Sequence, residues 1–316
     1  METRDVVIIG AGPSGYAAGL YAGRAQLEPL LITGRELGGQ LTLTLDVENY
    51  PGYGGKDAAE LIATFQRQAE EFGTEIRVDY VTDVDFENHP FTIKTESGSE
   101  IAAKSVVVAT GSSPRMLGVP GEELVGKGVS YCATCDGFFF REKRVVVVGG
   151  GAAAVEEALF LTRFASEVCI VHRRDQLRAN PTIQERAFKN DKVKFIWDTV
   201  IDEILGDDEV GVHAARLRNV KTDEVTDFPI DGVFIFIGHL PNTSLFEGKL
   251  DLDEQGYLIT DRLQRTSVPG VFAGGDVQDH VFRQAITAAA TGAASAIEAE
   301  KFLAEHENRA YPGHSE

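Results

Sequence analysis

The sequence predicts an α/β protein made of two similar modules, the second inserted into the first. Three observations lead to this prediction. The chain has 316 residues, which is typical of two domains at about 150 residues each. A motif near the N terminus recurs 139 positions later, and such an internal repeat indicates a duplicated structural unit. Finally, the first module lacks its last strand and helix, and a suitable pair occurs at the C-terminal end of the chain.

Each copy of the repeat is an apolar strand that runs into a glycine-rich turn. The copies span Asp5 to Gly15 and Arg144 to Ala154, and each is followed by a helix-forming stretch and a second apolar strand. A strand, a G-x-G-x-x-G/A turn and a helix form the βαβ unit of a Rossmann-like domain, where glycines let the backbone approach a pyrophosphate. The helix N terminus adds a partial positive charge. The sequence therefore predicts two dinucleotide sites.

The residues at the end of the second strand distinguish the two sites. The second module has His172-Arg173-Arg174 there, with Arg178 about one helical turn later. Arginines at this position accommodate a 2′-phosphate, so NADP is favoured over NAD, and His172 could add a hydrogen bond or stack on adenine. In the first module Thr33 occupies the matching position. Without an acid or an arginine cluster there, the first module is predicted to bind another dinucleotide, FAD.

The order of the strands gives the domain boundaries. Strands are predicted at 106–111, 232–238 and 271–276, followed by a long amphipathic helix at about 282–304. We therefore predict a three-layer α/β fold with an FAD-binding domain at 1–113 and 243–316 and an NADP-binding domain at 114–242. The two chain crossings between them form a predicted hinge. The tail at 306–316 is expected to fray, the alternative being that Tyr311 folds over the flavin.

Two of the three cysteines, Cys132 and Cys135, form a C-x-x-C pair. Such a pair is redox-active or half of a metal site, and the sequence has no second pair of ligands at zinc-binding spacing. Redox chemistry is therefore predicted, with Asp136 as a proton donor or acceptor and no metal. Cys169 lies in an apolar strand and is predicted to be a small buried hydrophobic residue.

Composition excludes several other functions. The formal net charge is −19, which disfavours binding to nucleic acid or anionic lipid because both are polyanions. The longest uncharged apolar run, 145–155, is shorter than the roughly 20 residues of a membrane-spanning helix. Charged residues at the N terminus give no sign of a signal peptide. A cytoplasmic protein is expected.

Taken together, in this order and spacing, the motifs resemble those of the low-molecular-weight, bacterial-type thioredoxin reductases. The resemblance implies a homodimer, with an FAD domain split around an NADPH domain. It covers the whole chain. The matching segments are Gly10–Gly15, Gly38–Leu41, Glu48–Gly52, Ala109–Gly111, Cys132–Phe138, His172–Arg174 with Arg178, Gly274–Val277 and Arg283–Ala285.

The motifs and the resemblance together give a set of candidate site residues. Cys135 would be the thiol nearest the flavin, Cys132 the thiol that attacks the protein substrate, and Asp136 the acid/base. The candidate FAD-binding residues are Gly10, Gly12, Pro13, Ser14, Gly15, Thr33, Gly34, Gly39, Gln40, Leu41, Asn49, Thr110, Gly111, Gly275, Asp276, Arg283, Gln284 and Ala285. The candidate NADP-binding residues are Gly149, Gly151, Ala154, His172, Arg173, Arg174, Arg178 and Gly238.

The expected activity is the reduction of thioredoxin by NADPH through FAD and the cysteine pair. Because nicotinamide and cysteines belong to one domain and must both reach one flavin, rotation of the inserted domain is expected between half-reactions. Two alternatives remain. At the positions of Ala152 and Ala153 the family more often has polar residues. The first alternative is therefore that the electron donor is not a nicotinamide but, for example, ferredoxin. The other alternative is a non-catalytic redox sensor with the same cysteines.

Overall fold

The computed structural model describes residues 1–35, 37–43 and 46–307, so Glu36 and residues 308–316, which include Tyr311, lie outside the described residues. The chain divides into two compact units. Unit 1 comprises Met1–Ser113 and Leu240–Glu316, and unit 2 comprises Pro114–His239. The return crossing therefore falls after residue 239, whereas the sequence predicted it after residue 242.

The strands and helices below are numbered in chain order. The strands are β1 (Glu2–Ile9), β2 (Leu30–Ile32), β3 (Glu75–Arg77), β4 (Val81–Asp85), β5 (Phe91–Thr95), β6 (Glu100–Val108), β7 (Ser112–Pro114), β8 (Val129–Ser130), β9 (Arg144–Val148), β10 (Glu167–Val171), β11 (Val193–Ile196), β12 (Thr199–Asp207), β13 (Gly211–Asn219), β14 (Val225–Pro229), β15 (Gly232–Ile235), β16 (His239–Pro241) and β17 (Val271–Ala273). The α-helices are α1 (Pro13–Arg24), α2 (Ala58–Glu71), α3 (Ala133–Asp136), α4 (Ala152–Leu161), α5 (Pro181–Phe188) and α6 (Ala285–His306). Short 3₁₀ helices cover Gly39–Leu43, Gly137–Phe140 and Ser244–Phe246.

Unit 1 is built on a sheet in which β6 is the branching strand. The sheet order is β3-β2-β1-β6-β5-β4, and β17 also pairs with β6. One edge of β6 lies parallel to β1 along nearly the whole strand; on its other edge the first half lies antiparallel to β5 and the second half parallel to β17. The C-terminal strand β17 thus completes the sheet that begins at the N terminus. Because the C-terminal halves of β1 and β6 are covered on both faces, Val6–Ile9 and Val106–Val108 are unbroken runs of buried Val and Ile.

Helices α1 and α6 cover one face of this sheet. Gly292 permits their close contact, because a Cβ there would lie 2.0 Å from the Ser14 carbonyl oxygen. Helix α6 begins at Ala285 rather than at the predicted residue 282. The reason is a capping box, in which the side chains of Gln284 and Thr287 bond to each other's backbone N–H groups.

Unit 2 has three layers around a five-stranded parallel sheet of order β11-β10-β9-β15-β8. One face packs on α3, α4 and α5 through alternate residues such as Val145 and Val147. The other face packs on the antiparallel sheet β12-β13-β14, through Val146 and Cys169 among others. The α/β class with parallel sheets agrees with the sequence prediction, and Cys169 is buried as predicted.

Asn242 explains why the return crossing ends earlier than predicted. Its backbone N–H donates to the Gly111 carbonyl (3.0 Å), and its side-chain amide donates to the Thr110 carbonyl (2.8 Å). The Thr110 hydroxyl in turn donates to the Asn242 carbonyl (2.8 Å). These bonds hold residue 242 in unit 1.

In the described part of the chain, no helix combines the length and the apolar character needed to cross a membrane.

Candidate functional site

The first glycine turn, between β1 and α1, combines tight packing with one open position. Gly10 has φ +113°, and a Cβ there would lie 2.3 Å from the Ala109 carbonyl oxygen. A Cβ on Gly15 would lie 1.8 Å from the Gly10 carbonyl oxygen. A Cβ on Gly12, in contrast, would meet nothing within 4 Å. The turn is therefore closed on the protein side and open where a ligand would approach.

Ser14 is the polar side chain at this turn without a protein partner. The residue is buried, and its hydroxyl has no hydrogen-bond partner in the described structure. Helix α1 has no side-chain cap at Gly12, with Pro13 as its first residue. Because a buried hydroxyl without a partner is costly, Ser14 and the uncapped helix N terminus are suited to an anionic ligand such as a pyrophosphate.

Other predicted flavin residues converge on the same turn. A Cβ on Gly39 would lie 3.5 Å from the Gly12 Cα, and a Cβ on Gly275 would lie 2.9 Å from the Ser14 Cβ. The Gly275 N–H donates to the hydroxyl of Thr291 on α6 (2.8 Å). The 3₁₀ helix at residues 39–43, which includes the candidates Gln40 and Leu41, therefore begins beside the turn.

A second group of candidates surrounds the N terminus of α6. The Asn49 amide donates to the Gln284 side chain (3.3 Å), and Ala285 is the first residue of α6. Burial raises the pKa of the half-buried Asp276 to about 7, with a further contribution from Asp279, while Arg283 opposes it. Because water is partly excluded from this carboxyl group, it is suited to form hydrogen bonds with the hydroxyl groups of a ligand.

Thr33 and Gly34 follow β2 at the same edge of the sheet. Thr33 is buried, and its hydroxyl donates to the Gly34 carbonyl (2.9 Å). Gly34 has φ +83° and open space around its Cα, and its N–H donates to the Asp79 carbonyl (3.0 Å). Arg35 follows and pairs with Glu96 (2.8 Å). The local turn thus satisfies these groups without an acid at the strand end.

The second glycine turn, in unit 2, repeats this geometry. Gly149 has φ +147°, and a Cβ there would lie 2.6 Å from the Ala154 Cβ, which explains the close contact of β9 with α4. A Cβ on Gly151 meets nothing within 4 Å, and α4 has no side-chain cap there. Gly238, after β15, has φ +114° and is equally open. The exposed Ala152 begins α4 and offers no polar side chain.

His172 packs under this turn. A Cβ on Gly150 would lie 2.3 Å from the His172 Cε1, and the residue is only 5% exposed. This burial leaves little ring surface for an adenine, one of the two roles suggested by the sequence. Nε2 has no protein partner in the described structure, so a hydrogen bond to a ligand stays a prediction. Burial and the neighbouring Arg178 lower the pKa of the imidazole, which favours its neutral form.

Arg173, Arg174 and Arg178, here called the arginine cluster, lie exposed beside the turn. The Arg178 N–H donates to the Gly150 carbonyl (2.6 Å), which joins the cluster to the turn. None of the three guanidinium groups forms an ion pair with a carboxylate of the described residues, although arginines elsewhere in unit 2, such as Arg218, are paired. An unpaired cluster on an acidic protein is suited to a phosphate.

The cysteine pair lies in the same unit. Cys132 and Cys135 form a disulfide, and Cys132 directly precedes helix α3. Cys135 is exposed and Cys132 is partly exposed. The Cys135 N–H donates to the Cys132 Sγ (3.2 Å), and the Thr134 hydroxyl lies 3.3 Å from the same sulfur. Two hydrogen-bond donors therefore lie at the Cys132 sulfur.

Asp136 is hydrogen-bonded within the redox motif through both its backbone and its side chain. Its backbone N–H donates to the Cys132 carbonyl (3.1 Å), and its Oδ2 accepts a hydrogen bond from the Ser130 hydroxyl (2.6 Å). Burial raises the pKa of this carboxyl group, and the Ser130 hydroxyl partly offsets the effect. A raised pKa brings a carboxyl group nearer to the range useful for proton transfer.

The structure adds residues that sequence reasoning did not single out. Ser130 has no recognisable motif. Phe138 and Phe139 directly follow the redox motif and are 51% and 38% exposed. Phe138 packs edge-on against Phe164 (6.3 Å between centroids) and beneath the guanidinium of Arg141 (5.2 Å). The run of three phenylalanines after Asp136-Gly137 could have signalled an exposed aromatic surface.

Comparison with known proteins identifies the family. A profile described as pyridine nucleotide-disulphide oxidoreductase matches residues 4–292. Among curated proteins, the thioredoxin reductase of Streptomyces coelicolor is 50% identical over 307 residues, which cover 96% of this chain and 95% of that protein. The shared region is therefore nearly the full length of both.

Solved structures agree in fold. The thioredoxin reductase from Streptococcus pyogenes is 45% identical, covers 96% of this chain and 99% of its own, and has a TM-score of 0.92. The Lactococcus lactis thioredoxin reductase, solved in an "FR conformation", is 46% identical with coverage of 96% and 99%, yet its TM-score is 0.65. Each of these two relatives covers 96% of this chain.

Proposed function

The chain belongs to the pyridine nucleotide-disulphide oxidoreductase family and, within it, to the thioredoxin reductases, and we propose that it reduces the thioredoxin disulfide with NADPH through FAD and the Cys132–Cys135 pair. One observation carries the proposal. Unit 2 combines an accessible disulfide beside a half-buried acid with a glycine turn and an unpaired arginine cluster. The disulfide and the acid suit disulfide exchange, and the glycine turn and the arginine cluster suit a phosphorylated dinucleotide.

For FAD, the residues of unit 1 fit the group. The open Gly12, the unpartnered Ser14 hydroxyl and the uncapped N terminus of α1 would hold the pyrophosphate. Asp276 and the N terminus of α6 would hold the polar chain next to the flavin ring. When bound, FAD supplies two-electron transfer between a nicotinamide and a disulfide. Unit 1 would then bind and orient the FAD.

For NADPH, the residues of unit 2 fit the group. The open Gly151 and the uncapped N terminus of α4 would hold the pyrophosphate. The arginine cluster would hold the 2′-phosphate by bidentate hydrogen bonds. The backbone of the turn is intact despite Ala152-Ala153, so the loss of side-chain caps weakens but does not remove this site. The unpaired guanidiniums are the reason to prefer NADPH over a ferredoxin-type donor.

Within the chain, the proposed exchange starts from reduced cysteines. The Cys132 thiolate attacks one sulfur of the thioredoxin disulfide, forms a mixed disulfide and releases a thiolate on the partner, which takes a proton from Asp136. The Asp136 carboxylate then accepts the proton of the Cys135 thiol, and the resulting thiolate attacks the Cys132 sulfur. This step restores the Cys132–Cys135 disulfide and releases the second partner thiolate. Exposed Phe138 and Phe139 offer an aromatic contact for a protein partner next to the reacting sulfurs.

Rotation of unit 2 between half-reactions is part of the proposal. The supporting observation is that the cysteine pair and the second glycine turn both lie in unit 2, whereas the candidate flavin residues lie in unit 1. A covalent crosslink between the units should block turnover while leaving one half-reaction intact. Full activity of a crosslinked enzyme would contradict rotation. The homodimer and the cytoplasmic location stay predictions, and sedimentation of the flavin-loaded protein would test the former.

The decisive experiment is an anaerobic titration of the flavin-loaded protein with NADPH, and then with NADH, followed by flavin absorbance. Rapid bleaching by NADPH and little by NADH is expected. If neither nucleotide bleaches a flavin that dithionite still reduces, the nicotinamide donor is wrong and ferredoxin-type donors become the candidates. Turnover with thioredoxin separates an enzyme from a redox sensor, because a sensor would be reduced once without catalysis.

A further inference from the structure

Ser130 lies at the centre of the hydrogen bonds around the redox motif. It ends β8, it is 2% exposed, and Tyr131 alone separates it from Cys132. Its Oγ accepts a hydrogen bond from the Cys132 N–H (3.0 Å) and donates to the Asp136 Oδ2 (2.6 Å). The Cys132 carbonyl oxygen is a second acceptor within reach, at 3.2 Å. One hydroxyl proton thus has two possible acceptors.

We propose that Ser130 is a positioning residue for proton transfer, holding the ionised Asp136 carboxylate and turning its proton to the Cys132 carbonyl when Asp136 is protonated. The proposal deepens the proposed function and rests on it. An ionised carboxylate only accepts, so the hydroxyl must donate to it. A protonated Asp136 can instead donate to the Ser130 Oγ, whose own proton is then free for the Cys132 carbonyl.

Both arrangements give the Ser130 hydroxyl a donor and an acceptor. In each, the Ser130 Oγ keeps the hydrogen bond from the Cys132 N–H and its own proton has an acceptor. A buried hydroxyl with a partner in both states avoids the cost of an unsatisfied group. The carboxyl group can therefore gain and lose a proton without losing its hydrogen bond to Ser130.

The surroundings of Asp136 leave this role to Ser130. Burial raises the pKa of Asp136, and the Ser130 hydroxyl is the side chain that lowers it. Tyr131 directs its own hydroxyl to the buried Glu122 (2.8 Å), and both cysteines are in the disulfide. On α4, which packs against α3, the titratable side chains are those of Glu156 and Glu157.

Ser130→Ala should raise the pKa of Asp136, because it removes the donor that stabilises the ionised form. The expected shift is about one to two pH units, the effect of losing a hydrogen bond to a charged group. Ser130→Thr keeps the hydroxyl and should titrate like the wild type. Ser166→Ala removes a serine hydroxyl elsewhere in unit 2, bonded to the Lys143 carbonyl, and should change nothing.

The measurement is carbon-13 NMR of the flavin-loaded, disulfide form labelled at aspartate Cγ, titrated with pH. The Asp136 signal is the one missing in Asp136→Asn. An unchanged midpoint in Ser130→Ala would overturn the proposal. Should that variant fail to fold, as judged by flavin content, Ser130→Cys keeps the size with a weaker donor. The midpoint of its Asp136 titration should then lie above that of the wild type, and a midpoint equal to that of the wild type would also overturn the proposal.

Turnover with thioredoxin supplies the second readout. In Ser130→Ala, the inflection of the pH profile that disappears in Asp136→Asn should move upward. If the NMR midpoint moves but the wild type does not reduce thioredoxin, the proposed function has failed and the inference about Ser130 holds. If the midpoint does not move in an active enzyme, the inference fails and the proposed function holds.

Discussion

Replacing Gly12 or Gly15 by Ala should separate ligand approach from packing within one glycine turn. The two positions are three residues apart and differ in what an added methyl group would meet. At Gly15 it would lie 1.8 Å from the Gly10 carbonyl oxygen, and at Gly12 it would meet nothing within 4 Å. The sequence motif alone does not distinguish these two situations.

The magnitudes follow from these distances. Since ordinary contact begins at 3.4 Å, α1 would have to move by about 1.6 Å in Gly15→Ala, which we expect to cost about 3 kcal/mol of unfolding free energy. That corresponds to about 6–12 °C in Tm. Gly12 has φ −85°, which alanine adopts freely, so Gly12→Ala should change stability by less than about 0.5 kcal/mol. Its methyl group should instead weaken flavin binding by about tenfold or more, or about 1.4 kcal/mol.

The assay compares the two variants as flavin-free proteins. Thermal unfolding followed by circular dichroism gives stability, and fluorescence titration with FAD gives affinity. Gly12→Ala should unfold like the wild type but bind FAD poorly, whereas Gly15→Ala should be unstable before any FAD is added. The reasoning would be refuted if Gly12→Ala bound FAD normally, or if the two variants were equally destabilised.

Three further predictions concern unit 2 and the flavin residues. Arg174→Gln should raise the KM for NADPH about tenfold by removing a charge-assisted bond to the 2′-phosphate, with the KM for NADH unchanged; an equal rise for both nucleotides would contradict it. In the reduced native protein, a thiol reagent at pH 8 should label Cys132 and Cys135 but not Cys169, since burial raises the pKa of that thiol to about 12; mass spectrometry with and without denaturant checks this. Asp276 has its pKa raised to about 7 in the folded state against about 4 unfolded, so the folded state loses stability as pH rises from about 4 to 7. Flavin-free Asp276→Asn should therefore gain Tm relative to the wild type as pH rises from 5 to 8, and a pH-independent difference would argue against this assignment.

Local patterns carried the fold prediction furthest. The runs Val6–Ile9 and Val145–Val148 are continuous because parallel central strands are buried on both faces, and the turn that follows each is fixed by glycine spacing. Elements that depend on distant partners were less predictable. The strand expected at 106–111 is Glu100–Val108, because its first half pairs with β5. The antiparallel sheet that forms the third layer of unit 2 has no recognisable sequence motif.

By itself, the sequence determined the two glycine turns, the C-x-x-C pair and the arginine cluster, because each is a short motif recognised by its spacing along the chain, and together these motifs indicated the family. Only the tertiary structure decided which groups surround those motifs. It buried His172 beneath Gly150, placed the Ser130 hydroxyl on the Asp136 carboxylate and joined Asn242 to unit 1. The contacts of His172 and Asn242 join separate segments of the chain, and a single sequence holds no local signal of such distant partners. The contact between Ser130 and Asp136, six residues later, depends on the path of the chain between β8 and α3, which has no recognisable motif.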